Sequence, residues 1–215
     1  MLDIDERPWP QDGDKLFIEE GDWRTNARLN AERDNLTLYA VGFKLAGKYL
    51  VDQVIADKAN YDSLIFPIAF AYRQYIELRL KQLIRDGYQF VNKPLPSTWH
   101  DDWKALGYPA QHKVDILWKE CRPILEQAAP QILNSDKVTK LPQTLEAIDM
   151  LVAELAQVDP ESMSFRYSKD RKNNPSLPKI SSINLLHLSE VMDKIANFFE
   201  RLSWPITQAV SDPPG

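Results

Sequence analysis

Apolar residues recur every three to four positions along most of this chain, which is the spacing of an amphipathic helix. The pattern predicts main helices at residues 27–57, 63–86, 111–129 and 142–157, and a last helix that begins at Ser181 or Ser182 and ends near Leu202. Short alternating runs bounded by turn residues, which are typical of strands, are missing. We therefore expect an all-α fold, a helical bundle of about five main helices.

Two long irregular segments interrupt the helical pattern, at residues 88–110 and at residues 158–181. Loops of this length inside a compact domain are often functional or mobile. The first residues are acidic and contain prolines, whereas the last ones are polar and end in two prolines and a glycine. We expect an N-terminal arm at residues 1–26, a bundle at residues 27–204 and a flexible tail at residues 205–215.

Small residues at three positions of the first helix, Gly42, Ala46 and Gly47, predict close packing against another helix. Glycine weakens a helix interior by about 1 kcal/mol relative to alanine, so two glycines in one helix indicate a packing reason. Gly87 is expected to end the second helix as the residue after its C-cap. Pro142 suits the first turn of the fourth helix.

The composition says more about the cellular location and the possible partners of the protein than about its fold. The chain has 215 residues and a net charge of -5, without the overall basic character of most nucleic-acid-binding proteins. Any such binding would need a local basic patch. Cys121 is the only cysteine, so no intrachain disulfide can form, and we expect an inert buried thiol and a cytoplasmic protein. The N-terminus does not resemble a signal peptide, and no apolar run predicts a membrane partner.

The second predicted helix carries charged residues close to its apolar side. On a helical wheel, Arg73 lies roughly 40° from the centre of the apolar stripe, and Glu77 and Lys81 each follow about 40° further round. A buried guanidinium needs a carboxylate or several carbonyls. Two interpretations stay open. Either Glu77, or a distant acid such as Asp170, neutralises Arg73 and organises the packing, or the bundle interior holds an anion site or a catalytic group.

The segment "SFRYSKD" is the second candidate site. Arg166, Tyr167, Lys169 and Asp170 place an aromatic ring beside two cations, which could bind a phosphate or stack on a base. Alternatively, the aromatic side chains plug the end of the bundle and the charges face water. Asn184 lies near the apolar stripe of the last helix and needs hydrogen-bond partners. The predicted ligand-binding set is Arg73, Glu77, Lys81, Arg166, Tyr167, Lys169, Asp170 and Asn184.

Signatures of common enzyme and cofactor sites are missing from this sequence. It contains no G-x-x-x-x-G-K-[ST], G-x-G-x-x-G, H-E-x-x-H or G-x-S-x-G motif. His100 lies beside two aspartates in "WHDDW", but this spacing matches no strong metal signature. We therefore expect neither a cofactor nor a bound metal.

Four segments together resemble HEPN domains, namely "FPIAFAYRQYIELRLKQLI", "HKVDILW", "VDPESMSFRYSKD" and "INLLHLSEVMDKIANFF". The resemblance covers roughly residues 30–202. HEPN domains are helical modules of prokaryotic toxin–antitoxin and phage-defence systems that associate with RNA or nucleotides. The resemblance implies an all-helical defence or stress protein that forms a homodimer through helical faces and binds RNA or a nucleotide.

The ribonuclease motif of HEPN domains does not carry over to this chain. That motif is an arginine followed, after four to six residues, by a histidine, and no arginine stands at this distance before His100, His112 or His187. A catalytic site would have to be assembled from distant residues such as Arg73, His112 and Arg166. Three functions stay open: a non-catalytic binder of nucleic acid or nucleotide, a dimerising or antitoxin-like interaction protein, and an endoribonuclease with a non-standard site. The missing motif favours Arg73 as an organiser of the bundle's polar centre.

Overall fold

A computed structural model of the chain describes residues 9–18, 21–29, 35–95 and 112–211. Most of the predicted irregular segment 88–110, including His100, therefore lies outside the described residues.

The chain divides into two units, residues 1–33 and residues 34–215. The first unit contains the predicted arm, and its described helical part is one 3-10 turn at Trp23–Thr25. Asp22 caps this turn, since its side chain accepts a hydrogen bond from the backbone N–H of Arg24 at 3.1 Å.

Five α-helices form the described part of the second unit, and the prediction of an all-α bundle is confirmed. They are α1 (Asn35–Asp57), α2 (Tyr61–Phe90), α3 (Val114–Ile132), α4 (Ser135–Val158) and α5 (Leu185–Ser211). Within the described ranges there is no strand, only one isolated antiparallel bridge between Lys169 and Pro175. No described helix is both long and apolar enough to span a membrane.

Helix α2 is the central element because it packs against α1, α3 and α5. Its aliphatic side chains Leu80, Leu83 and Ile84 are fully buried. Since other helices surround α2, most of its charged positions are buried as well. The buried polar side chains of this helix are Arg73, Glu77, Arg79, Lys81, Gln82 and Asp86.

Gly87 lies inside α2, so the prediction that it ends the helix was wrong. A Cβ atom at this position would lie 2.5 Å from Cγ2 of Ile124 in α3. The glycine therefore allows α2 and α3 to approach closely, and α2 continues to Phe90. The residue serves tertiary packing, which its local sequence did not reveal.

The prediction of close packing at the first helix is confirmed at Gly47 and not at Gly42. A Cβ atom at Gly47 would lie 2.7 Å from the ring of Tyr72 in α2, whereas one at Gly42 would meet nothing within 4 Å. Gly42 instead lies on an exposed face of α1, together with Ala46.

Helix α4 begins seven residues before the predicted start at Pro142, since it runs from Ser135. The side chain of Asn134 caps it by accepting a hydrogen bond from the N–H of Lys137 at 3.2 Å. Pro142 consequently lies inside the helix and not in its first turn. Helix α3 is likewise continuous through Pro123.

The predicted start of the last helix at Ser181 or Ser182 was also wrong. Asn184 occupies the capping position of α5, because its Oδ1 accepts a hydrogen bond from the N–H of His187 at 2.9 Å. This bond supplies the polar partner that Asn184 was expected to need.

Helix α5 also extends past its predicted end, through Pro205 to Ser211. Residues 205–211, which were predicted as part of a flexible tail, are therefore helical. Ile206 is fully buried in the core, and this burial stabilises the last turns beyond the proline.

Candidate functional site

Arg73 forms the polar centre of the bundle with Glu77, Lys81 and His112. The Arg73 side chain is 0% exposed, and its Nη1 lies 2.8 Å from Oε2 of Glu77, one helical turn away. Its Nη2 donates to the backbone carbonyl of His112. The pairing of Arg73 with Glu77, which was one of the alternatives from the helical wheel, is therefore observed. Both side chains are almost completely buried.

Glu77 binds all the other members of the polar centre. Its Oε1 lies 2.7 Å from Nζ of Lys81 and 2.9 Å from Nδ1 of His112. Burial on its own would raise the pKa of Glu77. The charges of Lys81 and Arg73 and the hydrogen bonds from Lys81 and His112 outweigh burial, so this pKa lies below its ordinary value. Glu77 is thus held as a carboxylate between buried cations.

Asp159 is a second buried acid beside Arg73, and the sequence analysis missed it. Its Oδ2 lies 3.7 Å from Nε of Arg73, and neither atom has a hydrogen-bond partner among the described residues. Its Oδ1 accepts hydrogen bonds from the N–H groups of Met163 at 2.7 Å and Ser164 at 2.8 Å. An aspartate before Pro-Glu-Ser just after a helix is a turn signal that could have drawn attention to it.

Asp170 is not the partner of Arg73, so that open alternative was wrong. It is exposed, and its Oδ1 accepts hydrogen bonds at 2.8 Å from the N–H groups of Lys172 and Asn174. The side-chain and backbone hydrogen bonds from Asn174 lower the pKa of Asp170. Asp170 therefore orders a turn of residues 170–174 and leaves the bundle interior to Glu77 and Asp159.

The basic segment, residues 166–172, is exposed and ordered. The Nε of Arg166 donates to the backbone carbonyl of Ser162 at 2.7 Å, and its guanidinium lies over the ring of Phe70 at 5.4 Å from the centroid. The same guanidinium lies 5.7 Å from the ring centroid of Tyr167, whose side chain is 54% exposed. Phe165 is buried, as the bundle-plug interpretation expected, whereas Tyr167 is not.

The predicted site residues therefore fall into separate groups. Arg73 and His112, two of the three catalytic candidates, meet through Glu77, while Arg166 contacts Phe70 and Ser162 instead. The described residues contain no group of three or more His, Cys, Asp or Glu side chains that could hold a metal ion.

A second buried polar network, which sequence reasoning missed, connects α2 to α5. Nη1 of Arg79 donates to Oε1 of Gln82 at 2.6 Å. Nε2 of Gln82 donates to Oγ1 of Thr207 at 3.1 Å, and this hydroxyl donates to Oδ2 of Asp86 at 2.8 Å. The network holds α2 and α5 together, and none of its members lines the cavity described below, so we assign it a structural role.

A cavity of about 490 Å³ lies between α2, α4, α5 and the residues that precede α5. Arg73 and Asn184, both in the predicted ligand-binding set, belong to its lining. The cavity is therefore the described space where a small ligand could approach predicted site residues.

Comparisons with protein-family models, with curated proteins and with solved structures found no match to this chain. The resemblance to HEPN domains therefore stays a prediction from the sequence, and the chemistry of the site has to be read from its own residues.

Proposed function

We propose that this chain is a HEPN-like, non-catalytic protein of a prokaryotic defence or stress system that binds single-stranded RNA through its basic segment. The observation that carries the proposal is the ordered turn at Asp170, which presents the exposed side chains of Lys169, Arg171 and Lys172. A cytosolic location belongs to the proposal, and it is supported by the single, buried cysteine, Cys121.

The chemistry of the basic segment suits a nucleic acid better than an acidic peptide. Sequence-tolerant binding of single strands combines cations that track the phosphates with aromatic rings on which bases stack. Tyr167 supplies an exposed ring among these cations, and the guanidinium of Arg166 lies 5.7 Å from the centroid of that ring. Because the whole chain is acidic, this local excess of positive charge would also orient an approaching polyanion.

Catalysis is not part of the proposal, because Arg73 is inaccessible to a polynucleotide. Its guanidinium is fully buried and bound by Glu77 and the carbonyl of His112. An endoribonuclease that uses Arg73 would first have to open the bundle between α2 and the residues around His112. The ribonuclease alternative therefore becomes an outcome of the test.

The test is fluorescence polarisation of a labelled RNA of about 15 nucleotides, the upper range for one single-strand site. The variant Lys169→Gln/Arg171→Gln/Lys172→Gln should lose at least about tenfold in affinity, and the salt dependence of binding should weaken. The matched control Lys58→Gln/Lys119→Gln/Lys140→Gln removes the same charge from exposed positions elsewhere and should stay within about twofold of wild type.

Equal RNA affinity of the basic-segment variant and the wild type would refute the assignment. The RNA recovered from each reaction is then run on a denaturing gel. Cleavage by the wild type that Arg73→Met abolishes would replace the proposal with the ribonuclease alternative.

A second candidate function is homodimerisation through α1. The outer face of this helix exposes Leu38, Tyr39, Leu45 and Tyr49, with Tyr49 66% exposed. Gly42 lies on the same face and meets nothing within 4 Å, which leaves room for a second helix to approach closely. A contiguous apolar face of this kind commonly marks an interaction site.

The dimer is tested by light scattering coupled to size-exclusion chromatography. Wild-type protein should elute as a dimer, and Leu45→Lys/Tyr49→Lys should elute as a monomer, because burying two lysines at a dry interface is costly. Met150→Lys, at an exposed apolar position of α4, is the control and should stay dimeric. If the wild type is still a monomer when the protein concentration in this chromatography is raised about 100-fold, homodimerisation is excluded.

A further inference from the structure

The cavity lies between α4 and α5, which pack little against each other. The main packing partner of α4 is α3, whereas α5 packs against α2, α1 and α3. Aliphatic side chains of both helices consequently face the space between them. Leu151 and Leu155 of α4 and Val191 of α5 line the cavity and are only partly buried. These side chains would gain contacts, and lose water, if an apolar group filled the cavity.

The polar and apolar lining residues are separated along α5. Asn184 at the start of the helix and Ile195 both line the cavity, and they lie roughly 16 Å apart at 1.5 Å per residue. Beyond the first turn, the α5 lining residues are aliphatic or methionine. The polar lining residues Ser181 and Ser182 stand just before the helix. The cavity is therefore amphipathic along its length.

The polar end favours a negatively charged group. Lys179 and His187 line it, and the N-terminus of α5 adds the positive end of a helix dipole. Glu154 is the acidic residue of the described lining, and it is exposed at the surface. Arg73 contributes to the lining, but its charge is already paired with Glu77. Lys179 is therefore the cationic side chain available at the polar end, and the N-terminus of α5 lies beside it in the lining.

The apolar part of the cavity offers few free hydrogen-bonding groups. The hydroxyl of Tyr72 already donates to Oγ of Ser189 at 3.0 Å. Nη1 and Nη2 of Arg73 donate to Glu77 and to the His112 carbonyl, and its Nε faces Oδ2 of Asp159 at 3.7 Å. The polar edge of a nucleobase buried there would lack partners, and an unsatisfied buried polar group weakens binding. A saturated hydrocarbon chain would carry no such cost.

We propose that this cavity binds a small amphiphile with a saturated chain and an anionic head, a medium-chain fatty carboxylate. The chain lies between α4 and α5, and the carboxylate lies beside Lys179 and the N-terminus of α5. This site differs from the basic segment that the proposed RNA binding uses, so the two proposals stand or fall separately.

Isothermal titration calorimetry with decanoate as the probe tests the site. Decyltrimethylammonium has the same chain with a positive head, and adenosine monophosphate represents the nucleotide alternative. Val191→Trp fills the cavity, whereas Leu186→Trp adds the same ring at an exposed position of α5 outside the lining. Lys179→Gln removes the cation at the polar end, and Lys140→Gln is its control on α4.

Decanoate should bind the wild type, and decyltrimethylammonium should bind at least about tenfold more weakly. Val191→Trp should abolish decanoate binding, with Leu186→Trp unchanged. Lys179→Gln should weaken decanoate about fivefold, in keeping with a partly exposed charge pair, and Lys140→Gln should have no effect.

Three results would overturn the proposal: no decanoate binding to the wild type at millimolar concentration, wild-type affinity in folded Val191→Trp protein, or tighter binding of adenosine monophosphate than of decanoate. Leu155→Phe, a smaller change on the opposite wall, repeats the test if Val191→Trp does not fold by circular dichroism. RNA affinity measured on the same variants should stay at the wild-type level, because the basic segment is intact in all of them.

Discussion

Arg73 and Asp159 face each other in the bundle interior with Nε and Oδ2 3.7 Å apart, and neither atom has a hydrogen-bond partner among the described residues. The other carboxylate oxygen of Asp159 holds the turn that leads into the basic segment through the N–H groups of Met163 and Ser164. The charge at the centre of α2 is thereby linked to the start of the long segment between α4 and α5.

Replacing Asp159 should therefore be costly. Asp159→Ala leaves two backbone N–H groups unsatisfied and removes a negative charge from beside a buried guanidinium, so we expect a loss of about 2–4 kcal/mol in the free energy of unfolding. Urea denaturation followed by circular dichroism measures it. Asp170→Ala, in the exposed turn, is the matched control and should unfold close to the wild-type midpoint. Equal urea midpoints for Asp159→Ala and Asp170→Ala would show that Asp159 stabilises the fold no more than an exposed aspartate does.

Among the residues of the polar centre, Glu77 should be the one whose substitution lowers the stability of the fold most. Glu77→Gln keeps the shape but leaves the charges of Arg73 and Lys81 without their carboxylate, and we expect a loss of about 3 kcal/mol or more. The quadruple variant Arg73→Met/Glu77→Leu/Lys81→Met/Asp159→Asn should be more stable than Glu77→Gln alone, since Asp159 loses its charge together with Arg73 and no unpaired charge stays buried. The same chemical denaturation measures both, and a quadruple variant less stable than the single one would contradict this account.

The low pKa of Glu77 predicts a component of acid sensitivity. Because its folded-state pKa lies below its unfolded value, its contribution to stability is fully present above the unfolded pKa, near 4.3 for a free glutamate. That contribution is lost as the pH falls through the folded pKa. Thermal unfolding measured from about pH 7 down to about pH 3 should therefore show a shallower acid decline for Glu77→Gln than for the wild type. Parallel curves for the two proteins would exclude Glu77 as a contributor.

Two glycine-to-alanine substitutions should act in opposite directions. Gly87→Ala forces a Cβ atom against Ile124 at 2.5 Å, and we expect a loss of about 1–3 kcal/mol from overpacking. Gly42→Ala meets open space and should gain up to about 1 kcal/mol from helix propensity. Thermal denaturation of both variants provides the comparison, and a stabilising Gly87→Ala would mean that α2 and α3 do not approach as closely as described.

The sequence by itself determined the helical class and named Glu77 as one of the possible partners of Arg73. Both depend on short-range regularities, since the spacing of apolar residues sets a helix and four residues bring two side chains onto the same face of it. The same reasoning predicted that Gly47 serves packing. It also placed Arg73 near the buried side of α2, because a helical wheel requires no knowledge of the partner helices.

Only the tertiary structure decided where the other partners and the cavity lie. Asp159 reaches Arg73 because the turn after α4 folds over α2, and Gly87 contacts Ile124 because α3 crosses α2 there. Pro205 lies within α5 because Ile206 is buried beyond it. The cavity is lined by α2, α4, α5 and the residues before α5, and it has no counterpart in any single segment. Contacts between residues far apart in the chain depend on how complete helices pack, and the periodicity of one helix carries no information about that packing.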